Sequence, residues 1–387
     1  MKLLPSSATP FYTKTAMVLV SLLALGYLAV LGKELLSPII FAMLFSILLL
    51  PMVKYFESRL KFRRSAAAGI AVVILILCIG LILYIVASQI TGLAGDWPQF
   101  KLQLASTMQS FQQWISVKFR VNTVKQMAYV NTATSGLLSA STTFIGATVL
   151  SLSGILLFLV FTMINTFFLL LYRRHIVKFL VTVIKDEHES IVYDVIAEIQ
   201  FIIRKYILGL LLEMAIVTIV LCIVFELIGI KYGFLLGIIT GLFNIIPYIG
   251  IFTALLFSLL VTFATAAATS KIVLVLVTVV VMHLIDSNVL LPIIVGSKVK
   301  INGQITLLGV VVGEMMWGIP GMFLSIPVIA VLKIIFDRIE TMKPWGQLLG
   351  DEKDEHVLVP LNIPAQNNEI ENISTSEEMI LNKKPSE

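Results

Sequence analysis

The sequence predicts an all-α, polytopic transmembrane fold of about seven or eight spans, and three observations carry that reading. Apolar residues make up 58 % of the 387 and charged residues only 13 %, against about 25 % charged in a soluble domain; mean hydropathy is +0.99. Apolar runs long enough to cross a bilayer recur along the chain, since a hydrocarbon core about 30 Å thick needs about 20 helical residues. Lysines and arginines also gather in alternate connections between those runs, which gives a self-consistent orientation.

The runs appear in order at 15–31, 35–53, 66–90 and 147–172, then at 207–228 and 272–294. Two further apolar stretches, 232–267 and 305–336, are interrupted by glycine and proline. The first run reads as a retained helix, because no small-residue cleavage site with a polar mature start follows it. Pro38 is expected in the first turn of the second helix, where its missing N–H costs little.

Lys54, Arg59, Lys61, Arg63 and Arg64 fill the short second connection. Arg173, Arg174 and Lys178 follow the fourth run, and Arg204 with Lys205 precede the fifth. Lys298 and Lys300, then Lys333, Arg338 and Lys343, complete the set. All fall on the cytoplasmic side when both termini are inside. The divisions expected are helices one to three in 1–90, an extracytoplasmic amphipathic arm in 91–146 and helix four in 147–172. A cytoplasmic amphipathic helix in 173–205, a core with two broken helices in 206–340 and a disordered tail in 351–387 complete them.

The arm rests on Trp97, Phe100, Leu104, Met108, Phe111 and Ile115, spaced by three and four, with a shorter stripe at Val121, Val124 and Ala128. On the inside, Ile191, Val195, Ile199 and Ile202 form a second stripe, preceded by Asp186 and Glu189 at capping-box spacing. The tail from Asp351 holds nine acids and three lysines. It therefore carries −6 and leaves +11 on the membrane body, a balance suited to anionic lipid headgroups. Nothing interleaves bases and aromatics on a soluble face, so nucleic acid is not an expected partner.

Enzyme chemistry finds no support. His175, His188, His283 and His356 are scattered, and the chain has no HExxH, Gly-x-Ser-x-Gly or phosphate-binding Gly-rich loop. Cys78 and Cys222 lie in apolar runs and read as buried small hydrophobes, without disulfide or zinc. No cofactor or metal is expected.

The candidate chemistry lies where apolar helices are broken. Gly241-Leu-Phe-Asn244-Ile-Ile-Pro247-Tyr248-Ile-Gly250 and Gly313-Glu314-Met-Met-Trp317-Gly318-Ile-Pro320-Gly321 free backbone groups at membrane depth. Such groups must be satisfied by protein or by water in a cavity, and paired interrupted segments point to a transport site. Between them stand His283, Asp286, Asn288 and Pro292. An acid inside a span costs at least about 2.5 kcal/mol and should face a polar interior. Glu213 and Glu314 are candidates for proton or cation handling, whereas Glu226 is expected at the interface. The expected solute or ion pathway is thus Asn244, Pro247, Tyr248, Asp286, Asn288, Glu213 and Glu314, with helix breaks at Gly250, Pro292, Gly318, Pro320 and Gly321.

Three of these stretches resemble the signatures of the autoinducer-2 exporter family of bacterial permeases. They are Gly241 to Gly250, Asp286-Ser-Asn-Val-Leu-Leu-Pro-Ile-Ile-Val-Gly296, and Gly313 to Pro327 with Gly318-Ile-Pro-Gly321 and Ser325-Ile-Pro327. Their order and spacing, and the long segment after helix three, extend the resemblance over roughly 12–340. The chain departs from the pattern at Lys300-Ile-Asn-Gly303, where a Leu-His-Pro type sequence is expected. The resemblance implies a homo-oligomeric inner-membrane permease of a family linked to signal-molecule export or sodium(lithium)/proton antiport. The expectation is a gradient-driven transporter for a small polar solute. A cation/proton antiporter, with Glu213 and Asp286 titrating, is the alternative. A membrane scaffold organised by the external arm and the 185–205 helix is the reading of another class.

Overall fold

The protein, seen in a computed structural model, is described over residues 11–95, 102, 106, 123–183, 189–246, 249–265, 269–294 and 301–351. The described residues form helices and turns, with no strand among them. In order these are α1 (Phe11–Leu31), α2 (Lys33–Ser58), α3 (Arg64–Gly95), α4 (Thr123–Val183), α5 (Glu189–Ile228), α6 (Gly233–Phe243), α7 (Ile249–Thr265) and α8 (Thr269–Ile285). A π-helical turn at Asp286–Leu290 leads into α9 (Leu291–Ile294), followed by α10 (Gly303–Trp317), α11 (Ile319–Arg338) and α12 (Lys343–Leu349). The arm stripe at 97–115, Asp186 and the tail beyond Asp351 lie outside the described residues.

Six helices are long and apolar enough to cross a membrane: Lys33–Ser58, Arg64–Leu93, Ser153–Val183, Ser190–Ile228, Ser270–Ile294 and Ile319–Arg338. The expected seven or eight crossings are thus six long helices plus shorter apolar ones. The first run, Thr15–Leu31, is one of the shorter helices, and its side chains are mostly exposed, Leu23 at 74 %. Lipid is the solvent that such a surface requires. Pro38 lies in the second turn of α2 rather than its first, because the helix starts at Lys33.

Continuity is greater than the apolar runs alone imply. α4 is helical for 61 residues across the expected boundary at 146/147, and no proline interrupts 123–183. α5 likewise joins the second amphipathic stretch to the fifth span in 40 residues.

The two broken stretches become helical hairpins. α6 has 11 residues and α7 has 17, so α6 is about 17 Å long and cannot cross a hydrocarbon core. α10 has 15 residues, about 22 Å, and α11 returns beside it. In the second hairpin the turn is Gly318, with φ 67° and ψ −142°, a region that only glycine enters cheaply. Gly313 and Gly321 press backbone to backbone, so that a Cβ on either would strike the other's carbonyl. Pro320 and Gly321 accordingly sit in the first turn of α11, and the break itself is at Gly318. Asn302 caps α10 by accepting from the Gln304 amide at 2.8 Å, the role that a short polar side chain fills best.

Gly318→Ala is expected to destabilise the protein by about 1–3 kcal/mol through backbone conformation alone, since nothing lies within 4 Å of the added Cβ. Thermal unfolding of the detergent-solubilised chain measures it, and an unchanged midpoint would refute the assignment of strain.

Helix α5 is the post on which both hairpins lean, from opposite ends. α6 runs back along its C-terminal half through Gly233, Gly237 and Gly241, which lie against Phe225, Cys222 and Thr218 respectively. Small residues four apart are the usual means by which membrane helices approach closely. At the other end the C-terminus of α11 is tied to α5 by Arg338 to Glu198 at 2.7 Å. Leu324 of α11 is packed with Ile203, Tyr206, Ile207 and Leu210 of α5 and Leu44 and Ile47 of α2. Trp317, at the tip of the α10–α11 hairpin, donates its Nε1–H to Ala29 O of α1 at 2.9 Å. A separate cluster joins α2, α3 and α4 through Val53, Ala67, Ala71 and Leu170, and Arg173 of α4 pairs with Glu57 of α2.

Candidate functional site

The tip of the α6–α7 hairpin delivers Asn244 to the flank of α5. Its side-chain Nδ2 donates to Glu213 Oε1 at 3.2 Å and to Asp286 Oδ2 at 3.0 Å. One NH₂ group thereby joins two carboxyl groups from helices far apart in sequence. Glu213 is 2 % exposed and Asp286 5 %, so both are withdrawn from water and lipid. Each keeps one oxygen, Glu213 Oε2 and Asp286 Oδ1, buried with no hydrogen-bond partner. Buried acids without full partners are costly in hydrocarbon, and they persist where function requires them.

Local chain geometry explains each placement. Glu213 lies in the middle of α5, about 22 Å from its C-terminus. Asn244 is the residue that caps the short helix α6. Asp286 opens the π-helical turn, where the Leu291 N–H bonds to Asp286 O one residue further along than in an α-helix. The wider turn accommodates the missing N–H of Pro292, and the chain stays helical to Ile294. Pro292, expected to break the helix, therefore does not; the irregularity is displaced to the turn that carries Asp286. Single π-turns of this kind often occur at functional sites.

A small recess opens beside the trio, lined by Thr240, Asn244, Val279, Met282, His283 and Asp286 among others. Its free space suits roughly one water molecule or a bare monovalent ion. Val217, Leu221 and Val279 of its lining belong to a buried apolar cluster with Phe225, Leu236 and Val275. Among the described residues no three His, Cys, Asp or Glu side chains gather to hold a metal ion.

The remaining sequence candidates stand elsewhere. Asn288 turns away and donates to Leu284 O at 2.8 Å, and Glu314 is exposed on α10. Gly250 lies in the first turn of α7, against the Phe243 carbonyl, where a Cβ would collide. Pro247 and Tyr248 fall outside the described residues. His283 reaches Ser287 at 3.4 Å on the exposed side. Thr240, Ser258 and Thr262, absent from the sequence candidates, are buried; Thr240 lines the recess and meets Ser258 across the hairpin. Hydroxyls at 258 and 262 are one helical turn apart, a spacing that could have been read from the sequence.

Long apolar helices, two hairpins packed on one helix and a buried acid pair at the tip of the first hairpin define a multi-pass membrane protein of the transporter class. Broken helices converging on a polar site are the usual architecture of such proteins. Residues 19–341 match the AI-2E family transporter, and the chain belongs to that family. It is 24 % identical over 299 residues to YueF of Bacillus subtilis, covering 74 % of this chain and 79 % of the relative. It is 35 % identical over 130 residues to YrrI of the same organism, covering 34 % of this chain and 36 % of that one. A Methanothermobacter thermautotrophicus relative is 28 % identical over 195 residues, covering 50 % and 58 %. All three carry the name "Putative transport protein". The chain thus aligns with about a third of YrrI and with most of YueF.

Proposed function

We propose that this chain is a gradient-driven transporter in which Glu213, Asn244 and Asp286 hold a monovalent cation or a proton. The observation that carries the reading is the pair of buried, unpartnered carboxyl oxygens on either side of one amide. Oxygen ligands suit a hard cation. The recess, in this conformation, has room for an ion and not for an organic metabolite. Cation/proton antiport therefore fits the site better than the polar-solute permease expected first. A solute of the autoinducer-2 type would need the α6–α7 hairpin to move away from α5 and the Asp286 turn. A scaffold without transport would have no use for two buried acids.

The proposed setting is the cytoplasmic membrane with both termini inside, as the basic residues favour. On that topology the α6–α7 hairpin enters from outside and the α10–α11 hairpin from inside. The chain acts without enzyme chemistry, in contact with lipid and as a homo-oligomer.

The test is purified protein in liposomes, with internal pH recorded as sodium or lithium is added outside. Proton movement driven by either ion supports antiport. Silence toward both, with counterflow of one metabolite from a panel of small polar compounds, would replace it with solute permeation. Silence toward everything in folded protein would leave the scaffold.

A further inference from the structure

The face between α6 and α7 carries a second polar feature that the carboxyl site does not require. Thr240, Ser258 and Thr262 are buried at 3 %, 0 % and 0 % exposure. Thr240 Oγ1 and Ser258 Oγ lie 3.4 Å apart, a long contact between two hydroxyls that could each bond more closely. Thr262 Oγ1 is buried with no partner at all.

Membrane helices ordinarily solve this problem locally, by returning the hydroxyl to the carbonyl four residues back. Thr162, Thr166 and Thr265 do so here, at 2.7, 2.8 and 2.7 Å. Thr265 belongs to the same helix as Thr262, so the difference is not one of helix geometry. Thr262 is thus held in an apolar interface that does not satisfy it, while Thr240 and Ser258 have only their one long contact with each other; a buried group left in that state calls for water or an ion.

Their order gives the feature direction. Thr240 lines the recess that Asn244 and Asp286 also line. It meets Ser258 across the hairpin, and Thr262 stands one turn beyond, three residues from the end of α7. The file therefore runs from the carboxyl pair toward the open end of the hairpin. Its flanks are apolar, with Val261 and Val275 buried beside it.

The geometry points to Thr240, Ser258 and Thr262 as a water-filled access path that brings a small cation or a proton from the extracytoplasmic face to Glu213 and Asp286. The path rests on the transport reading for its purpose and on the basic-residue topology for its sidedness. Its existence can be tested without transport.

The experiment uses the full chain in intact cells, with Cys78 and Cys222 replaced by alanine, and a small membrane-impermeant cationic thiol reagent added outside. Thr262→Cys and Ser258→Cys are expected to react from outside, Thr262→Cys first. Both should react about tenfold or more faster than Val275→Cys, a fully buried apolar position whose labelling requires local opening. Should Thr262→Cys fail to reach the membrane, Ser258→Cys decides alone. Failure of both to react while the chain is folded would overturn the path, as would reaction only from the cytoplasmic side of inverted vesicles. Labelling in a chain that moves no cation would sustain the path and refute the transport reading; transport without labelling would do the reverse.

Discussion

Asp286→Asn is expected to lower cation-driven proton movement at least about a hundredfold, a loss of roughly 2.7 kcal/mol or more at the limiting barrier, while the chain stays folded in the membrane. The substitution keeps the shape, and the Asn244 amide can still donate to the new side-chain oxygen. What it removes is the charge that binds a cation and the oxygen that takes a proton. Folding should tolerate it, because one of two buried acids facing each other across an amide has been neutralised. Glu213→Gln should behave alike, and the double variant should be little worse than either, as groups acting together are not additive. Asn244→Ala is different: it strips a donor from two buried oxygens, each loss costing about 1–3 kcal/mol, so stability and transport should fall together. Flux in liposomes and thermal unfolding separate these outcomes. Full flux in folded Asp286→Asn would refute the site.

A large structural effect is expected at Gly237. A Cβ there would lie 2.6 Å from both the amide nitrogen and the sulfur of Cys222, and the backbone of α5 cannot retreat as a flexible side chain could. Gly237→Leu should force α6 away from α5, with an overpacking cost of about 3 kcal/mol or more. Because α6 is short and ends at Asn244, the shift should also withdraw that amide from Glu213 and Asp286. Both the unfolding midpoint and transport should then collapse. Gly80→Leu is the matched control, since nothing lies within 4 Å of its Cβ, and its effect should stay within about 0.5 kcal/mol. A stable, active Gly237→Leu chain would refute the close packing of α5 and α6.

Much of this organisation is legible in the sequence because lipid makes the rules strict. A helix in hydrocarbon must satisfy its own backbone and show apolar side chains, so long apolar runs and their interruptions announce themselves. Gly241 to Gly250 and Gly313 to Gly321 were readable as breaks for that reason, and both became hairpin tips. The Gly233, Gly237 and Gly241 spacing was equally open to reading, since residues four apart share a helix face. Element ends were less legible: a helix like α4, without proline, can pass from a polar to an apolar stretch unbroken, so composition does not mark where it stops.

The candidate acids show where such reading ends. Glu213, Asp286 and Glu314 are each a lone carboxylate within a largely apolar run. Their fates differ through helical phase and the partner each helix meets. Glu314 points outward from α10, whereas Asp286 is turned inward by a π-helical turn that no periodicity predicts. Asn288, two residues on, faces the other way. The sequence by itself determined a multi-spanning helical protein with two hairpin breaks, because burial in lipid is decided residue by residue along the chain. Only the tertiary structure decided that Glu213 and Asp286 meet at Asn244, because that contact depends on the rotation and depth of three helices packed against one another, which no single segment encodes.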